Sequence, residues 1–148
     1  MKWVQTLTRI IEGTGAGWTG AHRGLADNRP MPAAHALKLL AIETSTDILS
    51  VAVGGPAPLA SHTGPGAAQA SATLLPAVQT LLAQAGWPLT ALAAIVFARG
   101  PGAFTGLRTA CAVAQGLAFG ADVPVLPVDT LLAVAEEARW AQVQTGAL

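Results

Sequence analysis

Charge is scarce in this sequence. Only 11% of its 148 residues are Asp, Glu, Lys or Arg, against roughly 25% in ordinary soluble domains. Either the surface is unusually apolar or a partner covers much of it. A membrane span would also account for 52% hydrophobic residues. However, a spanning helix needs about 18 to 20 uninterrupted apolar residues, and the longest runs here, such as Leu92 to Ala98, are far shorter. Cysteine is limited to Cys111, which excludes internal disulfides and any cysteine-based metal cluster. Set among alanines, it reads as a buried, inert thiol, and a cytoplasmic location fits. His22, His35 and His62 show no H-x-x-x-H or H-E-x-x-H spacing, so no metal site is expected. Ser45, Ser50, Ser61 and Ser71 stand in no G-x-S-x-G elbow. Without a base beside a nucleophile, no catalytic residue is expected.

The remaining charge is unevenly spread. Residues 1–30 carry Lys2, Arg9, Arg23 and Arg29 against Glu12 and Asp27, and everything after them is mildly acidic. Nucleic-acid binding needs a basic footprint, so no direct nucleic-acid contact is expected. Residues 1–37 show no sustained period, and Gly13, Gly15, Gly17, Gly20 and Gly24 break any helix that Trp3 to Ile11 might begin. They contain no apolar core of the signal-peptide kind. They read as a disordered or non-native N-terminal extension, with Met31 as an alternative start, ahead of one domain over residues 38–148.

That domain is long enough for a real core, and its pattern alternates strands with helices. Leu37 to Ile42 and Ile48 to Val53 read as strands around a polar turn, Glu43 to Asp47, and Leu59 to Thr63 reads as a short third strand. Gly64-Pro65-Gly66 reads as a flexible loop. Ser71 to Ala85 is predicted as an amphipathic helix with Leu74, Val78 and Leu81 on one face. Its polar positions, Gln69, Thr73, Gln79, Thr80 and Gln84, are uncharged, which suits an outer side that meets a partner. Gly86-Trp87-Pro88 stops it. Ala93 to Ala98 reads as a strand buried on both faces. A helix over Gly106 to Ala121 follows, capped by Thr105 and closed by Gly120. Val123 to Val128 is the last strand, and Thr130 caps a helix over Leu131 to Trp140. Glu136 and Glu137 read as a solvated acidic patch on that helix.

The stretch between the fourth strand and its helix, Arg99-Gly100-Pro101-Gly102-Ala103-Phe104-Thr105-Gly106-Leu107-Arg108, is the most distinctive. Its glycines and proline allow a tight turn and close backbone approach. Arg99, Gly100, Gly102, Thr105 and Arg108 flank a helix N-terminus, a natural anion site. The two arginines either grip an anion there or form local pairs that fix the loop. The helix beyond carries a ridge of small residues, Gly106, Ala110, Ala114 and Ala118, which packs either on its own sheet or into a helix–helix subunit interface.

Four blocks in order carry a resemblance: Leu39-Leu40-Ala41-Ile42-Glu43-Thr44-Ser45-Thr46, Leu74-Leu75-Pro76, Arg99 to Arg108, and Ala114-Gln115-Gly116-Leu117-Ala118. The chain resembles the TsaB family from about Lys38 to Thr130. The resemblance implies an α/β fold, a ribonuclease-H-like lobe of the actin/Hsp70 (ASKHA) superfamily with a mixed five-stranded sheet and flanking helices. It also implies that a second lobe is missing. In that superfamily the first turn wraps nucleotide phosphates, which makes Thr44, Ser45 and Thr46 weak phosphate-loop candidates. The acid there is Glu43, and no glycine follows until Gly54, so the loop is degraded. No cofactor is therefore expected in this chain; ATP and metal are expected in partner subunits.

The resemblance further implies a non-catalytic scaffold for threonylcarbamoyladenosine formation on tRNA. The expected partners are the catalytic subunit TsaD and, through it, the ATPase subunit TsaE. By that resemblance the two helices pair with TsaD or with themselves, which makes Leu74, Val78, Leu81, Gly106, Ala110, Ala114 and Ala118 the expected interface. Two alternatives stand beside it: an ATP-binding fragment of a kinase of the same superfamily, and a peptidase-like protein.

Overall fold

The computed structural model describes Thr6 and residues 37–55, 58–66 and 69–146. The expectation of a disordered leader lies, apart from Thr6 and Leu37, outside the described residues. Five strands form one mixed sheet: β1 (Leu39–Glu43), β2 (Ile48–Gly54), β3 (Pro58–Pro65), β4 (Ala94–Ala98) and β5 (Val125–Val128), in the order β3-β2-β1-β4-β5. β2 pairs antiparallel with β1 and β3, while β4 pairs parallel with β1 and β5. Among the described residues the long helices are α1 (Ala70–Ala85), α2 (Phe104–Ala121) and α3 (Thr130–Thr145), and a 3-10 turn spans Leu89–Ala91. β1 and β4 lie inside the sheet and are buried at every position. This accounts for their continuous apolar runs, since a strand covered on both faces has no polar side to show.

The larger core lies on the face covered by α1 and α2. Leu40 and Ile42 of β1, Leu49, Val51 and Val53 of β2, and Ile95 and Phe97 of β4 meet Leu74, Val78 and Leu81 of α1 and Ala110, Ala114 and Ala118 of α2. Alternate residues point the other way, as a strand's period of two requires. Leu39, Ala41, Ala52, Ala94, Val96 and Val128, with Leu37, form a second cluster on the opposite face.

Several local expectations are corrected. Glu43 belongs to β1, opposite Ser50 of β2, so the turn is shorter than its polar sequence suggests. Gly64 and Pro65 extend β3, and Gly66 is held by its N–H to the Asp47 carbonyl at 2.8 Å, so this stretch is a paired edge rather than a flexible loop. α2 starts at Phe104, with Thr105 inside its first turn; Ala103 occupies the cap position without a side-chain hydrogen bond. Gly120 is helical, and Asp122, in the left-handed region at φ 55°, closes α2. The cap of α3 is Asp129, whose carboxylate accepts from the Leu131 and Leu132 N–H groups, and the helix runs on to Thr145. Glu136 and Glu137 form no solvated patch. The Glu136 side chain is 15% exposed and takes two bonds from Arg139, at 2.7 and 2.8 Å, while Glu137 accepts from the Thr6 hydroxyl at 2.8 Å.

Neighbouring leucines of α1 have opposite environments. Leu74 is fully buried and Leu75 is 41% exposed. Truncating a buried leucine removes its transfer energy and leaves a cavity, so Leu74→Ala is expected to cost about 2–5 kcal/mol in urea unfolding. Leu75→Ala should stay within about 0.5 kcal/mol.

Candidate functional site

The carboxyl ends of β1, β4 and β5 open onto one edge of the sheet, the side where open α/β sheets usually bind ligands. Glu43 ends β1, and residues 44–47, 99–103 and 129 follow these strands. Glu43 is only 6% exposed. Its Oε1 accepts the Ser45 backbone N–H, and its Oε2 has no hydrogen-bond partner among the described residues. Burial pushes the carboxyl above its ordinary value of 4.5, with hydrogen bonds from Ser45 and Thr44 pulling partly back. Desolvation penalises the charged form, which has two oxygens to satisfy and finds a donor for only one.

The turn after Glu43 is fastened to the start of α2. The Thr44 hydroxyl, fully buried, donates to the Gly106 carbonyl at 2.7 Å, and the Ala103 N–H donates to the Ser45 carbonyl at 2.7 Å. The contact is too close for side chains. A Cβ on Gly106 would lie 2.0 Å from the Thr44 carbonyl oxygen, and one on Gly102 would lie 2.4 Å from the Ser45 Cβ. Thr44 and Ser45 are therefore sealed under α2. Thr46 faces out, its hydroxyl accepting from the Ile48 N–H at 3.2 Å. Of the expected phosphate-loop residues, this geometry leaves one accessible side chain.

The loop after β4 is held from its other end. Gly100 has φ 108°, a conformation that side chains disfavour, and its carbonyl accepts from the Thr130 N–H at 2.8 Å. The Arg99 N–H donates to the Val128 carbonyl at 2.9 Å, and its guanidinium lies 3.9 Å from the Asp129 carboxylate, both exposed. The Arg108 guanidinium lies over the Phe104 ring at 4.6 Å. The arginines thus make separate local contacts, one to Asp129 and one to Phe104. Among the described residues no three of His, Cys, Asp or Glu come together. Cys111 is half-buried against the main core. No helix among the described residues is long and apolar enough to cross a membrane.

The residues expected to form a partner face lie inside instead. Leu74, Val78, Leu81, Gly106, Ala110, Ala114 and Ala118 are all buried within this chain. The small ridge is what lets α2 sit close to its own sheet, so it is not available to a second molecule. The outward positions are others, offered by the same 3.6-residue period, and they include Gln79 and Thr80 of the uncharged outer side expected to meet a partner. On α1 these are Ala72, Leu75, Pro76, Gln79 and Thr80; on α2 they are Ala112, Gln115, Gly116 and Phe119. Phe119 is 91% exposed. None of these residues is charged and α1 contains no charged residue at all, while α2 carries one exposed charge, Arg108.

The family model described as TsaD, tRNA N6-adenosine threonylcarbamoyltransferase, matches residues 44–146. The tRNA threonylcarbamoyladenosine biosynthesis protein TsaB of Escherichia coli is 38% identical over 102 residues, covering 69% of this chain and 44% of that protein. The protein of the same name from Haemophilus influenzae is 41% identical over 102 residues, covering 69% and 43%. The solved structure of YeaZ from Pseudomonas aeruginosa matches with a TM-score of 0.58 at 48% identity, covering 63% of this chain and 44% of that one. The chain spans less than half the length of these relatives. The fold is of the actin/Hsp70 type.

Two outcomes follow from this junction. Gly106→Ala forces the Thr44 backbone aside and is expected to destabilise the chain by about 1–3 kcal/mol or more, read as a lower urea midpoint. Glu43 has a raised folded-state pKa, so the folded chain holds its proton more tightly than the unfolded chain does. Its contribution is complete below about pH 4.5 and is lost as pH rises through the higher folded value. Glu43→Gln keeps an acceptor for the Ser45 N–H and removes the titration. Urea midpoints measured from pH 4 to 8 should therefore fall more steeply for the parent chain than for the variant.

Proposed function

This chain belongs to the family whose model is described as TsaD, tRNA N6-adenosine threonylcarbamoyltransferase, and from that premise we propose that it is an accessory, non-catalytic subunit of threonylcarbamoyladenosine formation on tRNA. Its curated relatives are TsaB proteins named for that biosynthesis. In this reading the chain works in the cytoplasm and pairs with TsaD, and through it with TsaE, or pairs with itself. It supports the transfer and leaves the chemistry, the ATP and the metal to its partners.

The observation that carries the proposal is the outward side of α1 and α2. Exposed helices in water usually carry Lys and Glu. Here Leu75, Gln79, Ala112, Gln115, Gly116 and Phe119 are exposed and uncharged. Small residues beside one large aromatic suit a close helix–helix approach with an anchoring side chain, and apolar surface removed from water supplies the driving force. The opposite edge favours a supporting role. Its buried carboxyl, Glu43, is walled by Ser45 and α2, and the turn that wraps phosphate in related ATPases is closed on Gly102 and Gly106.

Co-expression of the full chain with TsaD, followed by size-exclusion chromatography with light scattering, tests the reading. A single species of one-to-one mass is expected. Phe119→Glu should weaken that complex at least tenfold while leaving the melting temperature of the isolated chain within a degree or two, because the ring makes few contacts within the chain. A chain that never co-elutes with TsaD, or a complex indifferent to Phe119→Glu, would sink the proposal.

A further inference from the structure

β3 is the outer strand of the sheet and pairs with β2 on one side only. The register tells which of its backbone groups face outward. Asp47 and Gly66 continue the pairing of Ile48 with Pro65, and the Gly66 N–H donates to the Asp47 carbonyl at 2.8 Å. Bonded positions alternate along an antiparallel pair. Gly64, His62 and Ala60 therefore turn their N–H and C=O groups to β2, while Ser61 and Thr63 turn theirs away. Pro65 falls in the outward set, where an edge strand tolerates a missing N–H. Leu59 is the extra residue of a bulge.

Native sheets usually blunt an open edge with charge. Between Pro58 and Pro65, β3 reads Leu59-Ala60-Ser61-His62-Thr63-Gly64, with no Asp, Glu, Lys or Arg. Ser61, His62 and Thr63 are exposed. A groove of about 570 Å³ runs between this edge and α1. Its helical wall is the ridge Ala72, Pro76, Thr80 and Gln84, an uncharged row at four-residue spacing. His62 stands opposite Val51 of the main core, so it lies on the α1 side of the sheet, and it lines the same groove.

We propose that β3 is a self-pairing edge, joined antiparallel to β3 of a second copy across a two-fold axis at His62. This register sets Ser61 against Thr63 of the other copy, and Thr63 against its Ser61, so every outward N–H and C=O of the two residues finds a partner. An axis at Ser61 would call on the bulged Leu59, and one at Thr63 on Pro65, which has no N–H. The second copy is the occupant that matches the edge on each count. It brings a strand that is equally short, equally uncharged and bounded by prolines at the same places, and a two-fold contact closes on itself. The axis also carries its imidazole into the groove beneath α1. Pro76 and Thr80 belong as well to the outer side of α1 offered to TsaD, so a copy seated here gives way when TsaD binds.

The full chain without TsaD is the sample, so the outcome is independent of that pairing. Size-exclusion chromatography with light scattering, over a range of concentrations, should show the mass of two chains. His62→Lys, at an exposed position, sets like charges directly opposite each other and should weaken the dimer at least tenfold with an unchanged circular dichroism spectrum. Directly opposite Cβ atoms lie about 4.5–5.5 Å apart, within reach of a disulfide after small adjustment. In a Cys111→Ala background, His62→Cys should therefore cross-link two chains under mild oxidation at least tenfold faster than Ala138→Cys, which is exposed on α3. A monomer at every concentration would overturn the inference. So would a dimer that His62→Lys leaves intact, or a His62→Cys chain that cross-links no faster than Ala138→Cys.

Discussion

The contact between the first turn of α2 and the turn after β1 governs how this lobe is put together. Thr44 gives its hydroxyl to the Gly106 carbonyl, Ser45 takes the Ala103 N–H, and a Cβ at either 102 or 106 would overlap that turn. α2 therefore approaches β1 and β4 at backbone distance. From there the period of the helix sets Ala110, Ala114 and Ala118 against the sheet in sequence. A larger residue at any of these positions would lift the helix, and interiors packed to crystal density tolerate little such displacement.

That close seat has an electrostatic consequence at the strand ends. With α2 pressed onto the turn, Glu43 loses its water, keeps one donor in the Ser45 N–H, and leaves Oε2 without a partner among the described residues. The edge of the sheet that binds ligands in many α/β proteins is here occupied by the chain's own backbone. Solvent instead meets the outer faces of α1 and α2, where Arg108 is the only charged side chain. The low charge content of the sequence is thus concentrated where a second molecule has access, and this turns a compositional oddity into an argument for assembly.

The two faces of the sheet are covered by different means. One carries two long helices whose apolar spacing is plain in the sequence. The other carries a cluster of strand residues, Leu39, Ala41, Ala52, Ala94, Val96 and Val128 with Leu37, that are nonetheless shielded. Thr6, far from the last helix in sequence, is buried and donates its hydroxyl to the Glu137 carboxylate of α3. Glu137 illustrates the difference. Read locally it is one of two adjacent acids on a helix surface, and only its distant partner makes it structural.

Periodicity by itself determined the existence and kind of the elements: the apolar runs of β1 and β4, the 3.6-residue pattern of α1, and the Gly-Pro-Gly link into α2. These are local properties, fixed by backbone geometry and by which side chains favour water. The sequence also held every residue of the outward face, since positions opposite a buried stripe must point away from it. Tertiary structure decided which stripe was which. Gly106, Ala110, Ala114 and Ala118 are suited equally to a neighbouring sheet or a neighbouring subunit, and only the distance to Thr44 shows that the sheet is there. The caps are Asp129 and Asp122 rather than Thr130 and Gly120, and their own bonds are local, to the Leu131 and Leu132 N–H groups and to the Ala118 carbonyl. What no local pattern records is the bond from the Thr130 N–H to the Gly100 carbonyl, because only the fold decides where a remote backbone lies.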